Sequence, residues 1–272
     1  MINIGVVRES KIENSKIIPA VSLVNLKALR KEMENIFDGA QMDARLPKSD
    51  QLYEHVRAAI ISMKFVPGEQ LPEKELCAHF GVSKTPFRDA LKKLVDESLV
   101  TIVPSGGTFV NKMVLREVLE GQMVRETLEL KMVRLAARNY DASFDKKFEL
   151  QLFTQELAAR NPNVDEFFAL DNEFHKLICN CAGFPKIWQT IHYATGQLDR
   201  VRRHSYTMMS HFDDVLREHQ EIYAAIKAGN ETEAAVAFQT QLDAVIPVFE
   251  QLRREASDII DDSAGIRVEQ IR

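Results

Sequence analysis

Asp171 and His175 stand four residues apart in the run Phe167-Phe168-Ala169-Leu170-Asp171-Asn172-Glu173-Phe174-His175. The apolar positions of that run, Phe167, Phe168, Phe174 and Ile178, fall on one helical face. An i, i+4 spacing stacks the carboxylate and the imidazole one turn apart on the same inward face. Further along, His219 aligns with Val215, Leu216, Ile222, Tyr223 and Ile226, and Gln241 shares a face with Ala237, Phe238 and Val245. Burying such groups without partners costs on the order of a few kcal/mol each, so they must meet one another, water or a ligand. A carboxylate and two imidazoles converging from separate helices suit a borderline divalent metal such as zinc or nickel. A buried Asp–His pair beside an unrelated core histidine would satisfy the same spacing.

The elements that position these groups are helices. From Leu115 onward glycine and proline are scarce and apolar residues recur at three and four. The pattern predicts segments near 115–138, 143–159, 163–181, 184–206, 210–228 and 230–246, with a final stretch to about 258. Gly183-Phe184-Pro185 and Gly229-Asn230 mark breaks, and Pro247 should kink the last helix. An antiparallel bundle follows. Arg125 lies along Val118, Leu128, Met132 and Leu135, a placement that a surface arginine with a partly buried stem also satisfies. Trp188 reads as core, and His192 and His204 as surface or rim.

A second chemistry sits upstream, in residues 71–110. Leu71, Leu76, Phe80 and Val82 surround a short helix with Pro72 at its start, and Gly81 supplies a turn. Ser83 caps a following helix whose buried face is Phe87, Ala90, Leu91, Leu94 and Val95. Its other face carries Lys84, Thr85, Arg88, Lys92 and Lys93 against one acid, Asp89. Two β-prone runs, Leu99 to Val103 and Thr108 to Val110, flank the turn Pro104-Ser105-Gly106-Gly107 and form a wing. Asp50 should cap a preceding helix that ends near Met63. This is a winged helix-turn-helix.

Here the residues carry a resemblance. Pro67-Gly68, Leu71, Glu73, Leu76, Ala78, Gly81-Val82-Ser83, Thr85-Pro86, Arg88, Ala90-Leu91, Leu94, Leu99-Val100, Gly107 and Phe109-Val110 match, in order, the pattern of GntR-type bacterial transcription regulators. Lys84, Phe87, Asp89 and Ser98 are mild departures. Residues 115–250 resemble the helical ligand-binding (FCD) domain of the FadR-like branch through the Asp-x3-His pair, Glu218-His219, Ala225 to Gly229 and Ala234-Ala235. Many members hold a metal through Asp, His, His and a further His. Those positions fall on Asp171, His175, His219 and Gln241, so three match and the fourth does not. Gln241 could coordinate weakly or through water, or the groups could bind the effector directly. The resemblance also implies that Arg125 faces an effector pocket, where a carboxylate would suit it through paired hydrogen bonds. Arg200 and Arg203 are weaker candidates for that role.

Composition bounds the reading. The 272 residues suffice for two domains, and no run approaches the roughly 18 apolar residues of a membrane span. Three cysteines without a metal spacing suit a reducing cytoplasm. The net charge of −5 conceals a split: residues 1–49 carry +2, residues 50–112 carry 0, and residues 113–272 carry −7. Positive charge is instead focused on 84–93, which excludes a DNA-coating architectural protein. The expected organisation is a 1–48 extension read as mobile, a 49–112 winged helix, a 113–258 helical bundle and a 259–272 tail.

The expected function is that of a dimeric, effector-responsive regulator on a palindromic operator, with an organic acid as the effector. Lys84, Arg88 and Lys92 would meet phosphates and base edges, with Arg88 as the guanine reader. Thr85 and the Ser83 amide would contact phosphate. Gly107 would let the wing approach the minor groove. The competing reading is a metalloenzyme, because three protein ligands with an open position define a catalytic zinc site. Against it, Glu173 lies off the Asp171 face, so no general base is present.

Overall fold

A computed structural model of the chain describes residues 31, 33–209, 212–256 and 258–261. Most of the extension expected over 1–48 falls outside them. Of its described part, Met33 and Phe37 are buried against the first domain.

That domain comprises α1 (Lys48–Ile61), α2 (Glu73–His79), α3 (Lys84–Asp96), β1 (Val100–Val103) and β2 (Gly107–Val110). Leu52, Val56 and Ile60 of α1 pack with Leu76, Phe87, Leu91 and Leu94. The strands are antiparallel in the register Val100↔Val110 to Val103↔Gly107. Asp50 lies inside the first turn of α1, not at its cap, because the helix begins two residues earlier behind Pro47. Ser83 holds the cap position of α3 with extended backbone, but its hydroxyl makes no capping bond. Gly107 has φ +111°, and a Cβ there would collide with the Gln70 side-chain amide, whose nitrogen donates to the Gly106 carbonyl. The wing tip therefore needs this glycine for its own shape.

β3 (Met113–Val114) leads into the helical domain: α4 (Leu115–Arg138), a 3-10 turn (Ala142–Phe144), α5 (Asp145–Arg160), α6 (Val164–Cys181), α7 (Lys186–Ala194), α8 (Gly196–Met209), α9 (Phe212–Lys227), α10 (Glu231–Asp243) and α11 (Val245–Glu255). The central α4 packs against α6, α7, α8, α9 and α10. Asn163 and Asn230 cap α6 and α10 by accepting backbone N–H groups. Met132, Val133, Phe148, Phe174, Ile178, Ile222 and Phe238 form the main core.

Three expectations are corrected. The single helix over 184–206 is two, α7 and α8, broken at Thr195. The break brings Gly196 against the first domain, where a Cβ would lie 2.5 Å from Glu97 Oε2 and 3.2 Å from Leu99. Pro247 does not kink the last helix: the chain breaks at Ala244, and Pro247 sits in the first turn of α11, where a missing N–H costs nothing. The tail expected from 259 begins later, since β4 (Ile260–Asp261) pairs in parallel with β3 and Ile260 is buried.

The domains meet along a packed seam. Ile61 of α1 joins Phe167, Phe168, Tyr206 and Phe212 in one cluster. Gln197 donates to the Ser98 carbonyl at 2.7 Å, and Arg200 donates to the Asn111 carbonyl at 2.8 Å.

Candidate functional site

The helical domain brings Asp171 and His175 of α6 together with His219 of α9. One ligand atom from each lies within 4.8 Å of the others, and all three residues are buried. Apolar periodicity alone turns them inward, and neighbours outside the expected set orient them. His175 Nδ1 faces Glu129 Oε2 at 2.9 Å, and its Nε2 lies 3.6 Å from Asp171 Oδ1. His219 Nδ1 lies 2.7 Å from Gln155 Oε1. The Gln155 nitrogen donates to the Leu170 carbonyl, which turns its oxygen toward the ring and makes Nδ1 the protonated nitrogen of His219. Nε2 is then a lone pair facing Asp171 Oδ1 at 3.3 Å, acceptor against acceptor.

That opposition leaves His219 Nε2 buried without a hydrogen-bond partner, and Gln241 Oε1 is buried in the same condition. The Asp171 carboxylate with the His175 and His219 rings, one ligand atom of each within 4.8 Å of the others, is the donor set of a cation site, and Gln241 lines the cavity that Asp171 and His175 also line. A carboxylate or amide holding the far nitrogen of each histidine is the usual outer support of such a site. The residues present therefore fit a divalent metal, with Gln241 able to offer an amide oxygen where a fourth histidine would stand.

Electrostatics follow from burial and pairing. Burial pushes the Asp171 carboxyl up, but Arg202 and then His175 outweigh it and hold it well below its ordinary range. Glu129 is likewise raised by burial and pulled down further by Arg125 and His175, to about 2. Burial drives His219 down to about 4 despite Asp171, so it is neutral at pH 7.

A cavity of about 400 Å³ opens on this cluster. Arg125, Arg202, Arg217, Glu218 and Gln241 line it, with Val215, Val245, Pro247 and Val248 as an apolar wall. Arg125 is fully buried, not snorkelling, and is gripped by Glu129 at 2.9 and 3.1 Å. Its Nη2 lies 3.3 and 3.1 Å from the two ring nitrogens of His175, a near-equidistant position that cannot lie along either lone pair. Arg202 is bound to Asp171 and Asp199, and Arg217 to Asp214 at 2.6 Å. Every cavity cation is thus committed within the protein. Among the described residues Glu218 has no such partner, and burial and then Asp214 push it up to about 7.

Several expected residues lie elsewhere. Arg200 is outside the cavity, wholly buried at the seam without a carboxylate partner among the described residues, and burial lowers it to about 10. Arg203 pairs with Asp165, and His192 with Glu54 at 3.3 Å. Trp188 is half-buried, not core, and its ring stacks on His175 with centroids 6.4 Å apart. Sequence reasoning missed Glu129, Gln155 and Arg202. Glu129 follows Arg125 by four, and Gln155 follows the core residue Phe148 by seven, so both spacings carried a signal.

On the winged helix, Ser83, Lys84, Thr85, Arg88 and Lys92 are exposed on one side of α3. Among the described residues neither Lys84 nor Arg88 makes an ion pair, and Lys92 touches only exposed Asp89 at 3.1 Å. Lys93 instead turns back to Asp50 at 2.8 Å and lies over the Tyr53 and Tyr193 rings.

A winged helix with free cations on its second helix, joined to a bundle that encloses a polar cavity, defines a DNA-binding regulator. Residues 48–110 match the pattern of the bacterial regulatory proteins of the gntR family, and residues 117–244 match the FCD domain. The chain is 32% identical over 218 residues to the HTH-type transcriptional repressor RspR of Escherichia coli K12, spanning 80% of this chain and 96% of that one. It is 31% identical over 229 residues to an HTH-type regulator in an unstable DNA locus of Streptomyces ambofaciens, covering 83% and 94%. Among solved structures, E. coli McbR/YncC superposes with a TM-score of 0.67 at 19% identity, over 76% of this chain and 99% of that one, a likeness of fold. The chain belongs to the GntR family of transcription regulators, carrying an FCD domain. Such regulators are not enzymes, which sets the metalloenzyme reading aside. Among the described residues no helix is long and apolar enough to cross a membrane.

Proposed function

We propose that the chain is an effector-responsive regulator that binds a palindromic operator as a homodimer. Residues 49–112 would grip DNA, and residues 113–258 would sense a small organic acid through a divalent metal. The observation that carries the sensing half is the orphaned His219 Nε2 turned on the Asp171 carboxylate, with a second orphaned acceptor, Gln241 Oε1, on the residue that lines the same cavity. A bound cation satisfies the ring nitrogen and the carboxylate and gives a carboxylate effector its counter-charge. Arg125, already bound to Glu129, would border the ligand rather than clamp it.

Exposed and unpaired, Lys84 and Arg88 support contacts to phosphates and base edges from α3, with Thr85 and the Ser83 amide at its start. A single winged helix binds weakly, and paired half-sites multiply affinity, which supports a dimer. The test is selection of bound fragments from the source genome at low and near-physiological salt, with elemental analysis of protein purified without chelator. Enrichment of one palindrome at the higher salt and a stoichiometric transition metal are expected. Uniform, salt-sensitive binding would reduce the winged helix to a phosphate binder, and protein free of metal would remove the cation from the site.

A further inference from the structure

Five charged side chains form an unbroken line from the cavity to the end of the recognition helix. Asp171 Oδ2 accepts from Arg202 Nη2. Arg202 Nη1 donates to Asp199 Oδ1 at 2.7 Å, and Asp199 Oδ2 accepts from Arg57 Nη2 at 2.7 Å. Arg57 Nε donates to Glu97 Oε2 at 2.8 Å, while Tyr53 donates its hydroxyl to Glu97 Oε1. Glu97 is the residue that ends α3. All five side chains are 2–7% exposed, so solvent and salt screen them little.

The line alternates in sign and crosses the seam: Asp171, Asp199 and Arg202 belong to the bundle, Arg57 and Glu97 to the winged helix. Each central member is shared between two partners of opposite charge through different atoms. Tighter engagement on one side therefore weakens the other, and the low dielectric makes that exchange count. Three carboxylates against two guanidiniums also leave one excess negative charge, at whose end Asp171 Oδ1 faces the His219 lone pair.

We propose that Arg202 and Asp199 are positioning residues that transmit occupancy of the Asp171 site to the recognition helix. A cation at Asp171 Oδ1 draws on the charge that Arg202 now shares. Arg202 then binds Asp199 more tightly, Arg57 is released from Asp199 toward Glu97, and α3 is held differently against the bundle. Coupling by this route is reciprocal, so operator DNA must change cation affinity by the same factor. The inference rests on the proposed cation site and operator.

The test uses the full-length protein, Zn2+ alone as the probe, and the operator recovered by fragment selection. Trp188 is the one tryptophan in the chain and stacks on His175, so its emission reports Zn2+ binding independently of DNA. In the wild type, Zn2+ should shift operator affinity by about five-fold or more. Asp199→Asn, which touches neither the cation ligands nor the DNA face, should bind Zn2+ within about three-fold of wild type and shift operator affinity by less than about two-fold. Glu97→Gln keeps the side-chain shape but can accept from only one of Tyr53 and Arg57, and serves as the second variant if Asp199→Asn does not fold. Variants that respond as the wild type does would make the line a structural seam and overturn the inference alone. So would wild type that binds Zn2+ with no change in operator affinity. Absence of Zn2+ binding to wild type would instead bring down the cation site, and this inference with it.

Discussion

The two functional regions use the same side chains under opposite rules. On α3, Lys84 and Arg88 stand in solvent without an ion-pair partner among the described residues, and their charge is free to meet phosphate. Around Asp171, Arg125 and Arg202 are buried and already bound to carboxylates, and the unsatisfied groups are acceptors. A DNA-binding face must keep its cations unspent, whereas a sensing site can commit its cations to shape and leave lone pairs open. Net charge cannot separate these uses; exposure and pairing do.

Substitutions should break the contrast most sharply at the buried end. Arg57→Ala leaves Glu97 and Asp199 buried without their shared partner and should cost about 3–5 kcal/mol, measured by urea unfolding. Glu129→Gln replaces the carboxylate that holds His175 Nδ1–H by a neutral amide and should weaken metal binding about 10–100-fold by titration. The same carboxyl fixes an acid limb. It is protonated near 4.5 in the unfolded chain and at about 2 in the folded one. Its contribution is therefore complete above 4.5 and lost as pH falls from there through about 2. Acid-unfolding curves should be flatter on that limb in the variant.

At the exposed end the effects are smaller and fall on binding alone. Arg88→Ala should cost about 1–3 kcal/mol of operator affinity and relax discrimination at one position, with no change in melting temperature. Lys92→Ala, whose only partner is exposed Asp89, should alter stability by no more than about 0.5 kcal/mol. It should reduce the salt dependence of DNA binding by about one unit of slope if Lys92 meets a phosphate.

What was legible in the sequence follows the same division. The recognition helix reads directly, because its apolar and cationic residues segregate by face. Asp171, His175 and His219 read because each interrupts an apolar stripe. Arg202 and Asp199 did not, since an i, i+3 ion pair looks the same in a sequence whether water or protein surrounds it. Arg125 lines the cavity, and the Glu129 carboxylate one turn on that engages it went unread for a related reason. The break at Thr195 has no strong local signal either. It sets Gly196 against Glu97 and Leu99, which lie in the other domain.

Gly196 carries a last consequence, for evolution and for engineering. GntR-type DNA-binding heads and sensory bodies invite treatment as interchangeable cassettes. In this chain the join is not generic. Glu97 and Arg57 on one side are fitted to Asp199 and a side-chain-free position on the other. A chimera that grafts this head onto a foreign body would inherit an ion without its counter-ion and a bulky residue where none fits. Exchange of cassettes should succeed only when these four positions travel as a set.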